Sequence, residues 1–137
     1  MSARPYAYRQ VVATLHGCQS DLLDEKLLLS TTLTAIRHAN MRLAKTKTKN
    51  PLVYKVSDDV MGGGVSVNAL ITTSHLTVHT SKLYGTAEFD CATCGHTSNP
   101  LAALATFRNK LRPTYVTIQY ESNEMEQQLT SAPTIKA

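Results

Sequence analysis

Two helix-like segments interrupt a chain that otherwise consists of short strand-like segments, and this order is the strongest constraint on the fold. Apolar and β-branched residues predict strands at residues 10–15, 52–56, 65–73, 75–80, 85–91 and 114–120. The helix-like segments follow the first strand and precede the last one. The resulting order β-α-β-β-β-β-α-β, with runs of strands joined directly, predicts an antiparallel sheet with both helices on one face. The expected fold class is α+β, a two-layer α/β sandwich.

Apolar periodicity and capping residues mark the two helices. From residue 21 to residue 39, leucines recur at near-helical spacing, and Ser20 is the expected N-cap. Asn99 and Pro100 predict a second helix start, because asparagine caps well and proline suits the first helical position. This second helix is expected to cover residues 100–109. Its inward-facing side chains are expected to be Leu101, Leu104 and Phe107.

Two polar segments lie outside this apolar pattern. Residues 41–49 end in alternating lysine and threonine, which is typical of a solvated edge strand with its charges on one face. From Glu121 the composition becomes polar and loses its period, which predicts a mobile tail over residues 121–137. The single domain is therefore expected to span residues 1–120.

Composition argues against several classes of protein. The chain has 137 residues, 42% of them apolar, which is enough for a globular core without disulfides or a structural metal. Its net charge of +4 lacks the dense basic patch with interleaved aromatic residues that is typical of nucleic-acid binders. No apolar run approaches the roughly 20 residues that span a bilayer, and residues 1–9 lack signal-peptide character. Three cysteines, an odd number, argue against a secreted disulfide framework and favour a soluble, cytoplasmic protein.

Two short motifs carry weak signals. The glycines at 62–64 lack the lysine and hydroxyl residue of a phosphate-binding loop, so a flexible turn is the better interpretation. Cys91 and Cys94 have the spacing of a zinc or dithiol site. Zinc needs two more ligands, and only scattered histidines and Cys18 are available. We therefore expect no metal site, with Cys91 buried and Cys94 used separately.

Residues 74–80 read Ser-His-Leu-Thr-Val-His-Thr and form the most unusual segment of the chain. In a strand, His75, Thr77 and His79 point to one face, and Leu76 and Val78 point to the other. A serine beside a histidine can act as a nucleophile and its base. The GxSxG elbow of hydrolases is absent, and no acidic residue is obviously placed in the sequence to orient either histidine.

Matched positions around this segment have a specific spacing. Ser66 lies eight residues before Ser74, His79 lies five residues after it, and Thr93-Cys94-Gly95 follows. In this register the chain resembles the short prokaryotic S-adenosylmethionine decarboxylases, which generate their own pyruvoyl cofactor. The resemblance extends weakly to residues 11–29 and to the helix after Asn99, and it covers most of the chain up to about residue 120. The family fold is an α/β sandwich with an antiparallel sheet, in agreement with the order of segments.

The resemblance implies a role for each matched residue. Ser74 would become the pyruvoyl group by cleavage after Thr73, which gives chains of 73 and 64 residues (137 − 73 = 64). Ser66 and His79 match residues that assist self-processing, through oxyanion stabilisation and proton transfer. Cys94 matches the acid that protonates the decarboxylated carbon. The pyruvoyl ketone would form a Schiff base with the substrate amine and accept the electrons released with carbon dioxide.

Three positions depart from the family pattern. Thr73 stands where the family usually has glutamate, and Val67-Asn68 stands where it has glycine and an apolar residue. The family has the motif His-Thr-x-Pro-Glu-x-Gly, which begins here at His79-Thr80 and ends at Gly85. Ser81-Lys82 is interpreted as the replacement of its Pro-Glu pair, whose carboxylate is expected to bind the ribose hydroxyls of the substrate. Lys82 is therefore assigned to the substrate-binding site as a residue that cannot accept those hydrogen bonds.

The resulting prediction is a self-processing decarboxylase that acts on S-adenosylmethionine for spermidine and polyamine synthesis. It is expected to act on a small molecule as a homodimer of processed protomers, without nucleic acid or membrane partners. One alternative keeps the scaffold and changes the substrate to arginine or ornithine. A second alternative is a non-catalytic relative that serves as an interaction partner. The joint presence of Ser66, Ser74, His79 and Cys94 argues against this relative, because a binding module does not need all four.

Overall fold

A computed structural model describes residues 7–125 and contains eight regular elements in the predicted order. Those elements are β1 (Ala7–His16), α1 (Glu25–His38), β2 (Leu52–Val56), β3 (Gly64–Ile71), β4 (Ser74–Ser81), β5 (Thr86–Cys94), α2 (Pro100–Leu111) and β6 (Tyr115–Met125). No helix in this part of the chain is long and apolar enough to cross a membrane.

The strands form one sheet in the order β2-β3-β4-β5-β1-β6, and every neighbouring pair is antiparallel. The two helices contact each other, and α1 also packs on β3 and β4 while α2 packs on β1 and β5. The rings of Phe89 and Phe107 meet edge to face at 5.6 Å between centroids, so α2 is fixed to the middle of the sheet. The predicted α+β sandwich, with both helices on one face, is confirmed.

The first helix begins later than the sequence predicts. Asp24 is the N-cap, and its carboxylate accepts a hydrogen bond from the backbone N–H of Leu27 at 3.1 Å. The residues before it form a turn in which the Asp24 N–H donates to the Asp21 carbonyl at 3.2 Å. Ser20, the predicted cap, instead donates its hydroxyl to the Lys110 carbonyl at 2.6 Å. The prediction of Ser20 as N-cap is therefore wrong, because Asp24 caps the helix instead.

The second helix begins as predicted. The Asn99 side chain accepts hydrogen bonds from the first backbone N–H groups, and Pro100 is the first helical residue. Leu104 and Phe107 are buried as expected. Leu101 is 43% exposed, because the buried face of α2 is centred on Phe107 and Leu111 and residue 101 lies at its margin.

The lysine–threonine segment is not a strand. It makes a single isolated bridge, between Leu43 and Ile71, and residues 45–49 are exposed. The Thr46 hydroxyl donates to the Thr48 carbonyl at 2.5 Å, a local bond that competes with strand pairing. The Asn50 side chain bonds both the N–H and the carbonyl of Leu70 at 2.9 Å. This amide occupies the backbone groups of β3 that an edge strand would have used.

The last strand is longer than predicted. β6 continues to Met125, five residues past the expected boundary at residue 120, because β1 offers partners as far as Ala7. The predicted mobile tail otherwise falls on residues 126–137, which lie outside the described residues.

Candidate active site

Ser74 is the first residue of β4 and follows directly on the two-residue turn formed by Thr72 and Thr73. It is half-buried and lies between Ile71 of β3 and Thr93 of β5 in the sheet register. Thr73 is exposed. The bond between Thr73 and Ser74 therefore lies at the tip of a hairpin, where both strands fix its position.

The carbonyl of Thr73 has a hydrogen-bond donor on the next strand. The backbone N–H of Cys94 donates to it at 3.3 Å. A fixed N–H in this position polarises the carbonyl and stabilises negative charge on its oxygen during attack by a nucleophile. Cys94 lies on β5, next to Thr93, the register partner of Ser74.

A chain of hydroxyl groups fixes the Thr73 side chain. Its Oγ1 lies 2.8 Å from Oγ1 of Thr93, which in turn donates to Oγ of Ser98 at 3.1 Å. Thr93 and Ser98 are both buried. This network therefore holds the side chain of Thr73, the residue that replaces the family glutamate.

Cys94 and Cys91 lie in different surroundings. Cys94 is half-buried and lines a cleft of about 620 Å³ together with Thr73. Cys91 is fully buried, and burial, with a smaller contribution from the charge of Asp90, raises the pKa of its thiol to about 12. None of the cysteines, all of which the structure describes, forms a disulfide. Among residues 7–125 no group of three or more His, Cys, Asp or Glu side chains is arranged to hold a metal ion.

Ser66 and His79 form a pair of their own. They are register partners on β3 and β4, and Oγ of Ser66 lies 2.5 Å from Nδ1 of His79. Both line a cavity of about 250 Å³, shared with the acidic residues Glu88 and Asp90, on the face opposite the helices. The structure thus brings Ser66 and His79 together as a hydrogen-bonded pair.

This pair does not contact Ser74 within one chain. His79 is five residues along β4 from Ser74, which separates their Cα atoms by roughly 17 Å at the rise of a strand. Leu76, Val78 and Thr80 are buried under the helices, so the alternation of β4 puts Ser74 on the helix side and His79 on the other side. One protomer therefore contains two separate groups of the predicted residues.

Lys82 lies in the turn between β4 and β5, at the end of β4 far from Ser74, and its side chain is exposed. The family motif His-Thr-x-Pro-Glu-x-Gly, matched at His79-Thr80 and Gly85, puts the proline at Lys82 and the glutamate at Leu83. The assignment of Lys82 to the glutamate position is therefore corrected by one residue. Leu83 is 63% exposed, and its hydrocarbon side chain cannot accept a hydrogen bond either.

Asp90 and Gln10, which hold His75 in a network of polar contacts, were missed by the sequence analysis. Nε2 of His75 lies 3.6 Å from Oδ2 of Asp90, and the side-chain amide of Gln10 donates to Oδ1 of Asp90 at 3.0 Å. These residues come from β4, β5 and β1, so only the strand order brings them together. Alternation within β5 puts Asp90 on the face opposite the helices. The spacing of residues in the sequence does not show which strands lie beside β5.

Known proteins match this chain over most of its length. Residues 9–123 match the family model described as S-adenosylmethionine decarboxylase. An arginine decarboxylase proenzyme from Hyperthermus butylicus is 38% identical over 113 residues, which are 82% of this chain and 75% of that protein. An S-adenosylmethionine decarboxylase proenzyme from Pyrobaculum islandicum is 32% identical over 115 residues, 82% of this chain and 85% of that protein.

A solved structure shares the fold. The crystal structure of the adenosylmethionine decarboxylase from Aquifex aeolicus superposes with a TM-score of 0.68 and 19% sequence identity, and the match covers 97% of this chain and 100% of that chain. At this identity the likeness bears on the sandwich architecture alone.

Proposed function

The chain belongs to the S-adenosylmethionine decarboxylase family, and on that basis we propose that it cleaves itself between Thr73 and Ser74 and then decarboxylates S-adenosylmethionine. The observation that carries this proposal is the hydrogen bond from the Cys94 N–H to the Thr73 carbonyl. It puts an oxyanion donor on the one carbonyl that the Ser74 hydroxyl must attack.

Self-cleavage needs no external reagent except water. Oγ of Ser74 bonds to the carbonyl carbon of Thr73 as the C–N bond to Ser74 breaks, which turns an amide into an ester. Loss of the Ser74 α-proton then breaks the Cβ–O bond, and Thr73 leaves with a carboxylate. Hydrolysis of the remaining unsaturated residue releases ammonia and leaves a ketone at residue 74.

The surroundings of residue 74 fit a pyruvoyl group. Cleavage falls in a turn, so the ladders that join β4 to β3 and to β5 remain in place. The group would supply an electrophilic ketone conjugated to an amide that accepts electrons. The cleft beside it is lined by Cys94, whose thiol would hold the proton that the product carbon takes up.

We propose that the enzyme is a homodimer in which Ser66 and His79 of one protomer serve Ser74 of the other. The support is the geometry of a single chain, in which the Ser66–His79 pair and Ser74 lie on opposite faces of β4. The apolar side chains on the face of this pair, Leu52, Tyr54 and Leu70, are exposed and available for contact with a second copy.

Co-expression of two inactive chains tests this arrangement. A His79→Ala chain keeps Ser74, and a Ser74→Ala chain keeps His79. If the pair acts between protomers, the His79→Ala chain stays intact alone and is cleaved when the Ser74→Ala chain is co-expressed with it. Gels of differently tagged chains distinguish the products. A His79→Ala chain that stays intact in both cases, while wild type cleaves, would place the pair in the same protomer as its Ser74.

Two observations bear on the substrate. Leu83 provides no acceptor for ribose hydroxyls, and a relative named arginine decarboxylase proenzyme is 38% identical to this chain. Arginine is therefore the second candidate, since it has the α-amino acid group that the reaction needs and no ribose to bind. Residue 83 lies near the His79 end of β4, so in the proposed dimer it would approach the partner's Ser74.

A substrate panel separates the two candidates. We expect carbon dioxide release from S-adenosylmethionine with a high KM in wild type, and a KM lowered by Leu83→Glu. A charge-assisted hydrogen bond is worth about 1.5–3 kcal/mol, or roughly 10- to 150-fold in affinity. Tyr84→Glu, at an exposed neutral residue one position away, changes the net charge by the same amount and is the matched control. Faster release from arginine, ornithine or lysine by wild type would exclude S-adenosylmethionine as the main substrate.

We place the enzyme in the cytoplasm and in polyamine synthesis. A cysteine that donates a proton must stay reduced, and the cytoplasm keeps thiols reduced. The decarboxylated product carries an aminopropyl group on a sulfonium, which is an activated donor for amine substrates. The cleft beside Cys94 is also lined by polar groups, including Arg37 and Asn40, suited to a polar small molecule.

A further inference from the structure

The side chain that follows Ser74 lies between the nucleophile and a carboxylate. Nδ1 of His75 is 3.3 Å from Oγ of Ser74, and Nε2 of the same ring is 3.6 Å from Oδ2 of Asp90. Gln10 donates to the other carboxylate oxygen at 3.0 Å. Serine, histidine, aspartate and an anchoring amide thus form a continuous series of polar contacts.

The positions of the two ring nitrogens favour one tautomer. A carboxylate next to Nε2 favours the proton on that nitrogen, which leaves the lone pair on Nδ1 for the Ser74 hydroxyl. Gln10 lies on β1, across β5 from β4, and its contact fixes the carboxylate from the side away from His75. The imidazole is therefore oriented to accept a proton from Ser74 and to be stabilised as a cation.

Packing does not account for this arrangement. The side chains of His75 and Asp90 are 36% and 37% exposed, so neither is a core residue. The register partners of His75, Leu70 on β3 and Ala92 on β5, offer it no polar group.

We propose that His75 is the base for the first step of self-cleavage, and that Asp90, held by Gln10, is its positioning residue. The inference rests on the proposed self-processing. Nδ1 takes the proton from Oγ of Ser74 as Oγ bonds to the Thr73 carbonyl carbon. The same proton passes to the nitrogen of Ser74 as the C–N bond breaks, so the ester forms with no net change in protons. His79 keeps its separate role in the later elimination.

The role of His75 can be tested by cell-free translation of the full chain, which starts self-cleavage at a known time and so allows its rate to be measured. We expect His75→Ala to slow the conversion of the 137-residue chain by about 100-fold or more, the usual contribution of a general base. Added imidazole should restore part of the rate. Asp90→Asn should slow cleavage less, and it tests the same contacts with a side chain of unchanged size. His38→Ala, an exposed histidine on α1, is the control and should cleave like wild type.

Hydroxylamine distinguishes ester formation from the later elimination, because it cleaves esters and not amides. If His75 forms the ester, the intact His75→Ala chain contains an amide and hydroxylamine does not accelerate its cleavage. Accumulation of a hydroxylamine-sensitive ester in this variant, or cleavage at the wild-type rate, would overturn the role of His75. A wild-type chain that never cleaves would instead contradict the proposed function itself.

Discussion

We expect Ser74→Ala to abolish both self-cleavage and carbon dioxide release, and the variant to stay a single chain on a denaturing gel. Alanine lacks the hydroxyl oxygen that is proposed to attack the Thr73 carbonyl, and without cleavage no pyruvoyl group can form. The expected loss of activity is complete within the sensitivity of a radiolabelled carbon dioxide assay. The fold should be unaffected, because Ser74 is half-buried at the start of β4 and the substitution removes one oxygen.

Ser30→Ala is the matched control for this prediction. Ser30 is exposed on α1, and its hydroxyl bonds only locally, to the Leu27 carbonyl. This variant should cleave and turn over like wild type. Carbon dioxide release by an intact Ser74→Ala chain would mean that the reaction does not depend on a group made from residue 74.

Cys94→Ala separates cleavage from turnover. The donor to the Thr73 carbonyl is the backbone N–H of residue 94, which alanine keeps, so self-cleavage should continue. Turnover should fall by about 10²- to 10⁴-fold, because the thiol that we propose as the proton donor to the product carbon is lost. Protonation at the wrong atom gives an aldehyde, so the residual activity should also decay with each turnover. Cleavage by gel and progress curves of carbon dioxide release measure the two effects.

Cys91→Ala provides the comparison. Burial raises the pKa of the Cys91 thiol to about 12, so at neutral pH this cysteine stays protonated and unreactive. We expect alkylating reagents to modify Cys94 well before Cys91, and Cys91→Ala to keep its activity per folded molecule. An equal loss of activity in both variants, or one equivalent of bound zinc, would contradict separate roles for the two cysteines.

Local signals in the sequence were sufficient for most of the secondary structure. The Asn99-Pro100 helix start and the alternation of residues 74–80 depend on neighbouring residues, and both predictions are confirmed. The errors arose where two local signals compete. Ser20 resembles a cap, but Asp24 lies closer to the apolar run. The lysine–threonine segment has strand periodicity, but Asn50 already occupies the edge of β3.

The candidate site was only partly predictable, because it depends on strand order. The family resemblance pointed to Ser66, Ser74, His79 and Cys94, yet it gave no indication that Ser66 and His79 lie apart from Ser74. The contact between His75 and Asp90 was also missed. It requires β5 to pair with β4 in one particular register, and Gln10 joins only because β1 inserts next to β5. Such contacts follow from the whole sheet and not from any one segment.

The intact mass of the purified wild-type protein tests the central claim most directly. We predict two species, one of residues 1–73 and one of residues 74–137, with the second lighter by one ammonia than a peptide that begins with serine. The second chain should also resist Edman degradation, since it has no terminal amine. A single unmodified species of 15.0 kDa, in both a fresh and an aged sample, would contradict the account.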